Sequence, residues 1–335
     1  LALELTLKGK SIALVDNANP NASSRVAAGL INPIVPKGVR KTWLCDEIFS
    51  ALPAYYSRME KLLGQKFFTA LPICQIHPDQ RTADEWNKRT QQEEFTAYLS
   101  AVAYPLPESV KSPYGASNIE CCGRLDTKLY LESAKEYLQK TQTFIEDTFR
   151  YSDVKFKNGV WNYQDFEAKG IIFCEGIMAM ENPWFRNLHF HPTGGDILKL
   201  HVDATILPQQ GRILKRKQWM IPLGEEEWLV GSNFHKGNRD ETPKKEDADL
   251  LSEQIATWLN VPIKIIEHRR GVRPTVEGRR PYLGEHAEHK GLFIFNGLGS
   301  KGSSLVTILA PMMAEYLINK APLNPEVDIE RFNAV

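Results

Sequence analysis

The sequence predicts an α/β fold, α+β overall, built from two interleaved units. Three observations carry this. Short apolar runs within residues 11–15, 170–176 and 292–295 are each followed closely by an acidic or small residue, as buried strands feeding turns and helices are. Between Thr193 and Arg270 the pattern changes to antiparallel-type alternation, over 197–201, 212–222 and 227–233, and a helical stretch over 246–259 follows. The length, 335 residues, exceeds the roughly 250–300 at which one core stops growing, so two domains or one large interleaved unit are expected.

Composition narrows the function classes. Lys and Arg number 41 against 41 Asp and Glu, a balance that calls for neither nucleic acid nor a membrane surface. No apolar run approaches the roughly 20 residues of a membrane span, and no charged-then-apolar signal pattern opens the chain, so a cytoplasmic protein is expected. The 5 cysteines are odd in number and lack CxxC or Cys/His ligand spacing; reduced, buried thiols and no metal site are expected. The first residue is Leu1, in the middle of an apolar pattern, which predicts that a segment upstream is missing.

Along the chain, Leu1, Leu3, Leu5 and Leu7 alternate with Ala2, Glu4 and Thr6, which suits a strand, or a helix tail stopped by Gly9. Residues 11–15 form a buried strand ending in Asp16. An acidic residue there is where a Rossmann-type domain hydrogen-bonds a ribose diol; a solvated turn residue is the alternative. Residues 17–40 carry Pro20, Pro33 and Pro36, and their apolar content from Val26 to Val35 predicts a long loop packed against something. Ala27, Ala28 and Gly29 would let a flat ligand approach the backbone, or simply serve a buried crossover. Apolar and aromatic residues at helical spacing from Trp43 to Leu63 predict a helix ending before Gly64, kinked or divided by Pro53. Residues 67–77 read as strand, 79–99 as a polar surface helix and 104–115 as a proline-bearing loop. Asp126 is the expected N-cap of a helix running to 139, with Leu129, Leu131, Ala134 and Leu138 inward, and 144–163 predict a meander turning at Asn158-Gly159. The basic stretch holding Arg212, Lys215, Arg216 and Lys217 is brief and reads as the wet face of a strand, with RNA contact as the alternative.

Residues 271–320 are the segment around which the rest is organised. Gly297, Gly299 and Gly302 mark a sharp turn after the strand at 292–295, exposing backbone N–H groups. Ser300, Ser303 and Ser304 can cap the helix that follows, whose first-turn amides and positive dipole end favour an anion. Arg273, between Gly271 and Pro274, can meet a carboxylate with two parallel hydrogen bonds. An ordinary strand-to-helix turn rich in glycine and serine is the alternative.

Three stretches in order, SSRVAAGLINP, GGDILKLH and GVRPTVEGRRPYLG followed by GLFIFNGLGSKGSS, resemble the D-amino-acid oxidase family of flavoproteins, which includes glycine oxidases and sarcosine oxidases. The resemblance spans nearly the whole chain. It implies a Rossmann-like FAD-binding domain, apparently N-terminally truncated, of residues 1–66, 116–192 and 271–335. An antiparallel-sheet substrate domain of 67–115 and 193–270 is interleaved with it. The family's GxGxxG, which meets the FAD pyrophosphate at a helix N-terminus, is absent here. By resemblance it lies upstream of Leu1, residues 1–8 are then helix, and the chain as it stands is expected to bind FAD poorly.

The resemblance implies oxidation of a C–N bond by hydride transfer from the α-carbon of a small amino acid or secondary amine to non-covalent FAD. That reaction needs orientation and charge stabilisation rather than a strong acid or base, so no catalytic acid or base is assigned. Carried over by position, Asp16 would hold the adenosine ribose, and Ser23, Ser24 and Arg25 would lie near the phosphates. Ala28, Gly29 and Leu30 would line the isoalloxazine edge, with Val154, Gly176 and Gly297 as further cofactor contacts. Gly299, Ser300, Lys301 and Gly302 would stabilise the negative charge of the reduced ring, the Lys301 side chain either adding to that charge or pointing to solvent. Arg273 matches the substrate-carboxylate position. Tyr282 and Trp219 would line the substrate pocket, or pack in the core. The runner-up activity is a flavin-dependent step in tRNA wobble-uridine modification, which the balanced charge disfavours. A non-catalytic scaffold is the alternative from another class.

Overall fold

The computed structural model describes residues 1–100 and 105–332; Tyr104, the first residue of the expected proline-bearing loop, lies outside them. A nine-stranded, mostly antiparallel sheet dominates the substrate side. Its long central strand, Thr193–His201, pairs along one edge with Lys264–Arg273 and along the other with Glu227–Gly231 and His235–Lys236. Trp219–Gly224, Ile213–Lys215, Ile73–Ile76, Ala116–Ile119 and Leu99–Ser100 extend it in turn. Ala116–Ile119 and the whole of Lys264–Arg273 belong to this sheet. The helix Lys245–Ala256 covers one face, burying Ala248, Leu251 and Ile255 with Trp228 and Trp258 in an apolar cluster.

The strand-then-helix side is divided into small sheets. Ala13–Val15 pairs in parallel with Thr143–Ile145. Ile171–Phe173 pairs in parallel with Leu292–Asn296, which Tyr282–Glu285 joins antiparallel. Among the described residues no strand bridges the two. A third sheet places Leu30–Ile31 and Phe68–Ala70 on either side of Gly123–Leu125.

Several local expectations hold with a physical cause in view. Ala2–Leu7 is helix, the alternative favoured by the family resemblance over strict alternation. Asp126 accepts from the Leu129 amide at 3.1 Å and caps Thr127–Thr141. The turn at Asn158 and Gly159 takes φ of 52° and 81°, the positive pair that a two-residue hairpin demands. Others are corrected. Pro53 does not divide the helix Cys45–Leu63 into two. Its missing hydrogen bond is outweighed by burial of Ile48, Phe49, Leu52, Tyr55, Tyr56 and Met59, a stripe that packs in the main core with Gly302–Asn319. The surface helix is shorter than expected, Gln80–Thr90, and 67–77 divides into two strands belonging to different sheets. Thr143–Ile145 leaves the expected meander for the parallel pair, and the meander gains a third strand, Phe166–Ala168. Lys215 is not on a wet face: it is 8% exposed, and burial pulls its ammonium down to about 8. Cys121 and Cys174 are exposed rather than buried, and all five thiols are free.

Candidate active site

The site forms where the large sheet faces the segment after Ala13–Val15. Alternation puts Thr193, Gly195 and Ile197 on one face, together with Gly271 and Arg273 of the neighbouring strand and Trp219 across Gly231. That face looks at the short helix Ser23–Val26: a side chain at Gly271 would meet Val26 Cβ at 3.1 Å. Arg273 and Trp219 thus stand on the same wall, opposite the SSRVAAGL segment.

Arg273 is held in a specific pose. Its Nη2 donates to Ser232 Oγ at 2.8 Å and its Nη1 to the Gly194 carbonyl at 3.3 Å. The guanidinium lies over Gly195, where a Cβ would come within 2.3 Å of Nη1, so only glycine leaves it room. The ring of Phe234 stacks on its other side at 4.6 Å, although Phe234 is 63% exposed. Burial lowers the Arg273 pKa to about 10, opposed by the nearby Asp196 carboxylate. Behind it a charge network fastens the loop. Asp196, 0% exposed, bonds His268 Nε2 at 2.8 Å and Arg270 Nη1 at 2.6 Å, and its amide donates to Asn233 Oδ1 at 2.7 Å. Arg270 also reaches Asp247 Oδ2 at 2.9 Å, and His235 lies 2.9 Å from the other Asp247 oxygen. The ligand-type atoms of Asp196, His235 and Asp247 lie within 4.8 Å of one another, but the Arg270 guanidinium bonds both carboxylates and supplies the positive charge there. Ser232, Phe234 and the network behind them were not singled out from the sequence; the Gly194-Gly195 pair inside a strand was the available signal of a close approach.

The turn after Leu292–Asn296 borders the same site beside Arg273. Gly297 takes φ 78°, and a Cβ there would meet Val276 Cγ1 at 2.7 Å, so the turn packs against the segment just past Arg273. Asn296 Nδ2 donates to the Gly176 carbonyl at 2.8 Å, joining the ends of the two parallel strands. The helix Gly302–Asn319 starts at Lys301 with no side-chain cap, a correction to the expected serine caps. Ser304 Oγ instead donates back to the Lys301 carbonyl at 3.0 Å. As the first residues of an uncapped helix, Gly302 and Ser303 have no intrahelical acceptors for their amides, and the dipole end is open to an acceptor. Ser300, in the turn, is exposed. Lys301 points neither at that helix end nor to solvent. Its Nζ reaches the Asn32 carbonyl at 3.4 Å, and burial lowers its pKa to about 8, opposed by Cys45 and Cys122.

The remaining positions divide. Asp16 caps its own turn, accepting from the Ala18 amide at 2.7 Å, and lies 3.6 Å from Arg25, so its carboxylate is partly engaged at the strand end. Ser23, Ser24 and Arg25 form the short helix that follows, with Ser24 exposed. Ala28 is buried, and Leu30 pairs with Arg124. Gly29 takes φ 72°, and a Cβ there would fall 1.8 Å from the Leu125 carbonyl oxygen, so protein backbone by itself demands the glycine. Val154 opens the outer meander and packs in the cluster of Trp161 and Phe173. Tyr282 takes the core alternative: it is 0% exposed, its hydroxyl donates to the His189 carbonyl at 2.9 Å, and it packs edge-on to Phe190. It belongs to the core and has no surface to offer a substrate.

The family model described as FAD dependent oxidoreductase, DAO, matches residues 1–316. A glycine oxidase of Pseudomonas putida is 22% identical over 97% of this chain and 94% of its own length. Among solved structures, glycine oxidase from Geobacillus kaustophilus superposes with a TM-score of 0.78 at 16% identity, covering 96% of this chain and 91% of that one. Iminodiacetate oxidase from Chelativorans sp. BNC1 gives 0.78 at 18% identity, covering 97% and 95%.

Proposed function

The chain belongs to the DAO family of FAD-dependent oxidoreductases, and from that premise we propose that it oxidises the C–N bond of a small amino acid or secondary amine bearing a carboxylate. The observation that carries this reading is the pose of Arg273: a half-sequestered guanidinium, braced by Ser232 and Phe234, on the sheet face opposite the SSRVAAGL segment. A planar fork in that setting suits a bidentate oxyanion such as a carboxylate rather than a neutral amine. Low exposure strengthens its charge, because little water competes.

The residues fit non-covalent FAD at the ring end of the cleft. The uncapped amides of Gly302 and Ser303, after the Gly299 turn, offer donors and a positive dipole end for an electron-rich carbonyl edge. Asp16 at the strand end would accept from a ribose hydroxyl with the oxygen it does not give to the Ala18 amide. Lys301 acts indirectly, tying the helix start to the loop at Asn32. FAD supplies the hydride acceptor for the oxidation. The protein's part is to clamp the substrate carboxylate with Arg273, to limit its orientations with Trp219, and to exclude water.

The test is reduction of the FAD-reconstituted protein under anaerobic conditions by glycine, sarcosine, iminodiacetate and D-alanine, followed by visible absorbance. Bleaching by at least one of them, with none by methylamine, supports the proposal. An FAD-loaded protein that no carboxylated amine reduces refutes it. Release of the yellow colour into the supernatant on acid precipitation checks non-covalent attachment.

A further inference from the structure

Arg273 has five N–H donors, and the protein itself engages three of them. Nη1 donates to two main-chain carbonyls, that of Gly194 at 3.3 Å and that of Asn233 at 3.5 Å. Nη2 donates to Ser232 Oγ at 2.8 Å, and a guanidinium accepts nothing, so the direction of that bond is fixed. Ser232 and Asn233 are consecutive, and between them they hold Nη2 and Nη1, the two nitrogens at the end of the group. Their oxygens stand where those of a carboxylate bound end-on would stand. The Gly194 carbonyl takes the other Nη1 hydrogen.

One edge is left. Its donors are Nε and the second hydrogen of Nη2, which point the same way and form the other fork of the guanidinium. Arg273 Nε has no acceptor among the described residues, and unlike Arg124 Nε and Arg269 Nε it is not closed off from solvent. A ligand can therefore reach it. The flat faces are covered: a Cβ on Gly195 would come within 2.6 Å of Cζ on one side, and the Phe234 ring centre lies 4.6 Å from Cζ on the other. With its end and both faces taken, this guanidinium meets an anion along the Nε–Nη2 edge.

We propose that the substrate carboxylate binds Arg273 side-on, one oxygen on Nε and the other on Nη2, and that Ser232 is the positioning residue that reserves this edge by occupying the end. The inference rests on the amine-oxidation reading and deepens it, stating which edge of the clamp receives the acid group and which residue sets it. Ser232 acts through Arg273 rather than on the substrate. The two hydrogens of Nη2 diverge, so an oxygen on the free one stands roughly 5 Å from Ser232 Oγ, beyond hydrogen-bond reach.

Methoxyacetate, the ether analogue of sarcosine, carries the carboxylate without an oxidisable amine. It is titrated, with FAD present, into protein carrying isotope-labelled arginine while the arginine Nε–H signals are followed by NMR; the Arg273 signal is the one missing from Arg273→Lys. A saturable downfield shift of that signal is the expected result. Ser232→Ala should weaken methoxyacetate binding roughly three- to tenfold. Ser232→Thr, which keeps the hydroxyl, should bring it back to within twofold of wild type, and neither variant should move the urea midpoint appreciably. Methoxyacetate that does not bind, that binds without moving the Arg273 Nε–H signal, or that binds Ser232→Ala as tightly as wild type overturns the proposal. If carboxylated amines reduce the flavin while that signal stays still, the oxidase reading stands and the edge assignment falls. If the signal shifts and no amine reduces the flavin, the oxidase reading falls and the edge assignment stands.

Discussion

Arg273→Lys isolates the geometry of the clamp from its charge. The guanidinium bonds Ser232 Oγ at 2.8 Å and the Gly194 carbonyl at 3.3 Å and stacks on Phe234 at 4.6 Å, so its fork is oriented before substrate arrives. A lysine ammonium is a point charge without a planar pair of donors, and it loses at least one charged hydrogen bond to the substrate carboxylate, about 1.5–3 kcal/mol. At about 1.4 kcal/mol per tenfold, KM for an amino-acid substrate should rise between about tenfold and about 150-fold. Because the carboxylate is bound alike in ground and transition states, kcat should change much less. Burial that takes Arg273 only to about 10 would take a lysine lower, so the variant should also lose substrate affinity at a lower pH than the wild type. The assay is steady-state FAD-dependent turnover with glycine or sarcosine between pH 7 and 10, with circular dichroism to confirm folding. A KM within twofold of wild type in a folded variant refutes the assignment of Arg273 to the carboxylate.

Gly195→Ala places a Cβ 2.3 Å from Arg273 Nη1, a mobile side-chain end rather than backbone, so the guanidinium moves and the fold stays. KM should rise about tenfold or more with the denaturation midpoint nearly unchanged, and the reverse pattern would contradict the packing described. Tyr282→Phe strands the His189 carbonyl, and about 1 kcal/mol of stability should be lost by urea titration while KM stays within twofold. A large KM change would return Tyr282 to the substrate pocket. Lys215 has a folded pKa of about 8 against 10.5, so below 8 both states are protonated and the native state bears a buried charge. Between about 8 and 10.5 only the unfolded state keeps the proton, and that contribution to stability rises with pH. Lys215→Met should therefore be more stable than wild type by up to roughly 3 kcal/mol at pH 7, an advantage that shrinks by pH 10 in parallel urea titrations. An advantage independent of pH would show that Lys215 is not buried as a charge.

Much of the architecture was legible because it rests on local chemistry. Asp126 before an apolar-periodic run caps a helix wherever the run packs, and Asn158-Gly159 supplies positive φ to a hairpin turn irrespective of context. The three family-like stretches all lie within residues 1–316, which the family model matches. Side-chain destinations were less legible. Lys215 reads as a solvated strand residue until the strands Trp219–Gly224 and Ile73–Ile76 are seen on both sides of it. Lys301 follows an anion-favouring turn, yet its ammonium reaches the Asn32 carbonyl of a loop some 270 residues earlier, a contact that no local pattern encodes.

Alone, then, the sequence determined the periods, the caps, the glycine turns and the presence of Arg273 beside them, because each depends on neighbours within about four residues. Only the tertiary structure decided which of those groups share a wall. Strand register brings Gly195 under Arg273 and Trp219 onto the same face, and packing of Phe190 closes Tyr282 away from it. Register is set by which face of a whole sheet is buried, a sum over many distant residues, so it cannot be read from any one stretch.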